Sequence, residues 1–149
     1  SVWLGPEHAE KKHYSIATAK QNNVFYNIDQ NGIAMSKEYN SLQEIPVFDH
    51  NRYENSNYCF YKYSKDNKEI GIIDCHDEIV IEPGNFDNIV WRHLNFIVVA
   101  KNGKQGLFDS KLKRLVAKCE FDFLSIDKYS YKPVFFGITD NKCTQIKLD

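Results

Sequence analysis

Short stretches of alternating apolar and polar residues run along the chain, and turn residues interrupt them at regular intervals. Residues 96–100 are apolar and β-branched, Asn102-Gly103 follows, and residues 105–109 resume the apolar pattern. Period-two alternation predicts strands. An Asn-Gly pair between two such runs predicts a two-residue hairpin turn with positive φ at both positions. A second turn over 110–113 leads into a short strand over 115–118. The same succession recurs earlier: strand 58–64, turn 65–68, strand 69–74, turn 75–78, strand 79–82. Upstream, strands are predicted over 13–20, 24–29 and 33–35, around turns at 21–23 and at Asn31-Gly32. Downstream, strands over 134–140 and 143–149 flank Asn141-Lys142.

These sets share a register. A shift of 35 residues brings Asn67 onto Asn102, Gly71 onto Gly106, Asp74 onto Asp109, Phe86 onto Phe121 and Asp87 onto Asp122. A shift of 45 brings Asn22 onto Asn67 and Asp29 onto Asp74, with Tyr39-Asn40 standing for the later Phe-Asp. A self-similar period of this length is the mark of a repeat architecture. The prediction is one all-β domain over 1–149, an antiparallel meander of about four β-hairpin units (13–42, 58–89, 96–124 and 134–149). Its ten to eleven short strands would form a curved sheet or an incomplete barrel. Side chains alternate across a strand. Ile28, Ile73 and Phe108 therefore share a face, and it is read as the core. Gly71 and Gly106 lie on that face too, where a neighbouring backbone or ring is expected to approach closely.

The segments between units, 36–57, 86–95 and 121–133, read as connections. The Phe-Asp-x-Ile/Leu step at their start reads as a single helical turn with Asp near its N-terminus. Residues 6–12, with Pro first and acids leading bases, predict one or two turns of helix.

The two central units resemble the bacterial WG-containing repeat. The resemblance is carried by Gly71-Ile72-Ile73-Asp74, Pro83 and Phe86-Asp87-Asn88-Ile89, and again by Gly106-Leu107-Phe108-Asp109, Leu115-Val116 and Phe121-Asp122-Phe123-Leu124. It extends over roughly residues 13–149. The chain departs from the family at its defining Trp, where Ile70 and Gln105 stand, and at the turn Gly, where Asp77 and Leu112 stand. The resemblance implies a β-hairpin repeat protein with a role in protein interaction.

Composition narrows the function classes. Hydrophobic residues make up 42% and charged residues 26%, the proportions of a globular domain. Lys and Arg number 19 against 20 Asp and Glu, a formal net charge of -1. Nucleic acid and anionic membranes favour a basic surface, so neither is expected as a partner. The longest apolar run, 96–100, is far short of the ~20 residues that span a bilayer. No basic stretch followed by an apolar one stands near the start. Ser1 rather than Met comes first, so a targeting segment upstream stays open. Cys59, Cys75, Cys119 and Cys143 form no CxxC pair. They read as four reduced, packed thiols, which points to the cytoplasm.

No catalytic set emerges. Asp29, Asp74 and Asp109 each end a strand before a turn, where Asp bonds the backbone two residues on. Cys75-His76 are neighbours in a tight turn, where adjacent side chains point apart rather than converge as a dyad needs. No phosphate-binding loop, metal-ligand spacing or cofactor motif appears, so neither metal nor cofactor is expected. Trp, Tyr and Arg dominate binding hot spots, and the connections hold Trp91-Arg92-His93, Tyr129 with Tyr131, and Arg52-Tyr53. These seven residues are the expected partner-binding set, with Trp91 and Arg92 partly exposed. The competing reading packs the rings over the ends of the sheet core. The function expected is a non-catalytic module binding another protein, with immunity proteins that neutralise a toxin domain as one such class. A carbohydrate-binding module, and an enzyme using an Asp or Cys/His site, are the rival readings.

Overall fold

Among the named strands, pairing follows the order of the chain. The computed structural model describes residues 17–34, 37–47, 59–66, 68–127 and 132–148. These residues contain thirteen strands and no helix: β1 (Ala17–Gln21), β2 (Val24–Ile28), β3 (Ser41–Glu44), β4 (Phe60–Ser64), β5 (Gly71–Asp74), β6 (Ile79–Ile81), β7 (Asn88–His93), β8 (Phe96–Lys101), β9 (Lys104–Asp109), β10 (Arg114–Phe121), β11 (Phe123–Asp127), β12 (Val134–Thr139) and β13 (Lys142–Ile146). All named pairs are antiparallel meanders, in sheets β1-β2, β3-β4-β5-β6, β7-β8-β9-β10 and β11-β12-β13. The fold is all-β, and its curved meander sheets do not close into a barrel. The expected N-terminal helix lies outside the described residues.

Two compact units hold these sheets. One comprises Ser1–Ile45 with Ser56–Asn85, the other Pro46–Asn55 with Phe86–Asp149. In the first, Tyr39, Leu42, Tyr61, Tyr63 and Ile73 are buried together, with Phe25 and Cys75 packed against them. In the second, Val98, Leu107, Leu124, Ile126, Phe135 and Ile146 form the core.

The hairpin and the glycines behave as their residue types require. Asn102 and Gly103 take φ of 54° and 77°, and Asn22-Asn23 and Asp140-Asn141 repeat that pair of left-handed residues. A Cβ on Gly106 would stand 2.7 Å from the Ala117 carbonyl oxygen and 2.8 Å from the Cys119 nitrogen. One on Gly71 would stand 2.7 Å from both the Ile81 carbonyl oxygen and the Tyr63 ring. Phe108 and Ile73 are buried and Ile28 half-buried, but Ile72 and Leu107 on the opposite face are fully buried too, so the expectation of a single core face is corrected: β5 and β9 are covered on both sides.

The segments read as connections are corrected by the structure. Each contains a strand, β3, β7 or β11, that opens the next sheet, which raises the strand number above the expected ten to eleven. The aromatic-Asp step is not a helical turn but a joint between sheets. Its backbone N–H donates to the first strand of the next hairpin: Asn40 to Ser64 O at 2.9 Å, Asp87 to Ala100 O at 2.8 Å, Asp122 to Ile138 O at 2.8 Å. Its side chain then holds the end of that hairpin. Asp87 accepts from the Asn102 N–H at 2.7 Å, Asp122 from the Asp140 N–H at 3.1 Å, and the Asn40 amide donates to Lys65 O at 2.5 Å. A short acceptor beside free turn N–H groups serves here as it would at a helix start. The partners lie 15 to 25 residues away, which local reasoning cannot see.

Candidate functional site

The carboxylates repeated along the chain are engaged by their own turns. Asp29 accepts from the N–H groups of Asn31 (2.9 Å) and Ile33 (3.0 Å). Asp74 accepts from those of His76 (2.8 Å) and Glu78 (3.0 Å). Asp109 accepts from the Lys111 N–H at 2.8 Å, and from the Asn95 side-chain amide, also at 2.8 Å. In all three the carboxylate accepts from the backbone N–H two residues on, which makes a rigid turn. A large, partly exposed aliphatic side chain lies in or beside each of these turns: Leu112 within its turn (51% exposed), Ile33 just after its turn (62%) and Ile79 at the first position of β6 (40%).

A buried polar node in the first unit has no counterpart in the sequence reading. Asp77 occupies the left-handed turn position (φ 61°) that Gly32 fills one repeat earlier. It is buried. Its Oδ1 accepts from the Asn27 amide at 2.7 Å and from the Tyr39 hydroxyl at 3.0 Å, and the Lys37 ammonium donates to its carbonyl oxygen. Asn27 is fully buried where the later repeats place Ile72 and Leu107, so a polar residue replaces a core aliphatic. The signal was an acid at a glycine position together with an Asn in an apolar register.

Burial, and then the neighbouring Asp77 carboxylate, push the Tyr39 hydroxyl far above the ordinary tyrosine range. Burial raises Tyr63 as well, with Glu82 adding to it. Both rings stay protonated in the folded chain at pH values where an unfolded tyrosine, near pKa 10, ionises. Their contribution to stability is complete below about pH 10 and is lost as the pH rises above it. Absorbance at 295 nm is expected to show Tyr39 ionising only as the protein unfolds. Its smooth ionisation in a folded protein would contradict the node.

The expectation of four reduced thiols is corrected. Cys59 and Cys75 form a disulfide, with Cα atoms 5.5 Å apart. The register explains it: β4 and β5 pair Phe60 with Asp74, which brings the flanking residues Cys59 and Cys75 side by side at a normal disulfide spacing. The cytoplasmic expectation loses the support it drew from reduced thiols. The Cys75 sulfur is bonded to Cys59, and His76 stands in the turn. Cys119 is half-buried and Cys143 exposed, both free. Alkylation in denaturant is predicted to label two thiols without reductant and four with it; four labelled without reductant would refute the bond.

The expected binding set is distributed otherwise than foreseen. Trp91-Arg92-His93 belong to strand β7, not to a connection. Trp91 pairs with Val98 and His93 with Phe96, so both point to the core side. Trp91 is half-buried there, stacked on Phe135 with ring centroids 6.4 Å apart. Arg92 pairs with Ile97, and its expected exposure is corrected: it is 3% exposed. Its backbone N–H donates to Pro46 O at 3.0 Å, tying residues 46–47 along the edge of β7. Arg52, Tyr53, Tyr129 and Tyr131 lie outside the described residues. Among the described residues no group of three or more His, Cys, Asp or Glu is arranged to hold a metal ion, and no helix is long and apolar enough to cross a membrane.

No family model matches the chain, and neither a curated protein nor a solved structure matches it significantly.

Proposed function

We propose that the chain is a non-catalytic protein-interaction module, a WG-like hairpin repeat in plan, whose Asp-capped turns carry the contact side chains. The observation behind this reading is that an exposed aliphatic residue, Ile33, Ile79 or Leu112, stands in or beside each of the three Asp turns. The exposed area of a large aliphatic adds nothing to the fold, whereas burial against a partner removes that area from water. Turns pinned by a carboxylate are already ordered, so little entropy is lost when a partner docks. The Asp side chains bond their own turns and the Cys75 sulfur is in a disulfide, which leaves the groups of the enzyme reading otherwise engaged. A toxin domain is the partner class this reading carries forward.

Affinity capture from the source lysate tests it. Ile33→Asp and Leu112→Asp replace exposed residues and should leave the circular dichroism unchanged. Each should weaken capture about tenfold or more, as loss of a hot-spot residue does. Capture of the same protein at full strength by both variants would end this reading.

A further inference from the structure

We infer that the outer edge of β1 is a docking site for an extended segment of another protein, one that carries an aromatic residue, Asp, any residue and then Ile or Leu. This edge is separate from the Asp turns, and the inference does not depend on the function proposed for them.

The repeat shows what such an edge takes. Three hairpins close on the same two-residue turn, with Gln21 paired to Val24, Lys101 to Lys104 and Thr139 to Lys142. Both turn residues are left-handed in each. In the second and third, an aromatic-Asp step lies along the outer edge. The Asp N–H donates to the carbonyl oxygen two residues before the first turn residue, that of Ala100 or Ile138. The Asp carboxylate accepts from the N–H of the first turn residue, Asn102 or Asp140. The aliphatic residue two places after the Asp, Ile89 or Leu124, is buried and pairs with Val99 or Gly137.

In the first hairpin these three positions are Lys20, Asn22 and Ala19. Among the described residues, no group bonds the Lys20 carbonyl oxygen or the Asn22 N–H. β1 is one strand of a two-stranded sheet, and all five of its residues are exposed. Val99 and Gly137, the counterparts of Ala19, are buried. The edge that two other hairpins cover with an aromatic-Asp strand is thus presented to solvent here, with the same donor and acceptor in the same register.

The chemistry of the occupant follows from that register. A strand added antiparallel to β1 gives its Asp N–H to the Lys20 carbonyl, and its carboxylate accepts from the Asn22 N–H in a charge-assisted bond. Its aliphatic residue lies beside Ala19. Ala19 is small, as is Gly137 where the Phe121 ring covers it, so the aromatic ring of the segment has room there. Main-chain bonds supply the affinity of such strand addition, and side-chain positions supply its selectivity. The chain carries the four-residue step, aromatic, Asp or Asn, any residue, Ile or Leu, three times, beginning at Tyr39, Phe86 and Phe121. All three are bonded to their own hairpins. Neither this chain nor a second copy has one to give, so the segment belongs to another protein.

Fluorescence anisotropy of a labelled peptide with the sequence of residues 120–127, titrated with the full chain up to about 1 mM, reads the outcome. Saturable binding is expected. Peptides carrying Asp122→Ala or Leu124→Ser should each bind about tenfold more weakly, and these changes leave the protein itself untouched. On the protein, Ala19→Glu puts a charge where the ring and the aliphatic residue lie, and should weaken binding about tenfold. Thr18→Pro removes an N–H from the outer edge, where an edge strand tolerates proline, and should do the same. Near-ultraviolet circular dichroism checks that both variants are folded. Absence of saturable binding overturns the inference. So does binding that both peptide changes leave unaltered, or full-strength binding to folded Ala19→Glu protein.

Discussion

Gly106→Val is expected to destabilise the protein by at least about 3 kcal/mol, the upper end of overpacking losses. A side chain there would begin 2.7 Å from the Ala117 carbonyl oxygen and 2.8 Å from the Cys119 nitrogen. Both are backbone atoms of the neighbouring strand β10, and neither can swing aside as a flexible side chain could. The strand must separate from β9, which breaks the ladder beside a core that includes Leu107. Gly103→Ala supplies the control. Gly103 has open space around it and φ of 77°, so that change meets only left-handed strain, about 1 kcal/mol. Urea unfolding of the two variants separates close packing from turn conformation. Equal losses would mean that β10 does not press against Gly106.

Asp77→Gly discriminates between local turn chemistry and the buried node. By turn rules alone the change stabilises, since glycine accepts the left-handed conformation that Asp77 holds at φ 61°. In the folded chain it also deletes the acceptor shared by the Asn27 amide and the Tyr39 hydroxyl. Each group left buried without a partner costs about 1–3 kcal/mol. Together they outweigh the relieved strain of about 1 kcal/mol, so the net expectation is a loss of about 1–5 kcal/mol. A gain in stability would show that the node holds nothing.

Much of the fold was legible because the repeat writes it more than once. The hairpin at Asn102-Gly103, the close approach at Gly71 and Gly106, and the Asp turns follow from residue type and spacing alone. Strands β3, β7 and β11 were missed for a definite reason. Phe-Asp-x-Ile/Leu has the local form of a helix start, and what makes it a strand is a hydrogen bond to a hairpin 15 to 25 residues onward. The same displacement affected Trp91. Its place in the period matches Ile126, a buried core residue, so the repeat itself put Trp91 on the core side, whereas its residue type suggested a hot spot. The Cys59–Cys75 bond was within reach, since a hairpin that pairs residue 60 with 74 also sets 59 beside 75. Spacing rules written for metal sites do not look across a hairpin. The node at Asp77 was hidden because an acid in a turn reads as solvated, and only tertiary packing buries it.

Hydrogen exchange on the protein, alone and bound to the protein it captures, tests the interaction reading most directly. Protection on binding is predicted at the three Asp turns, residues 29–33, 74–79 and 109–114, with the strands between them unchanged. Protection confined to other segments, with these turns exchanging as fast as in the free protein, would contradict it.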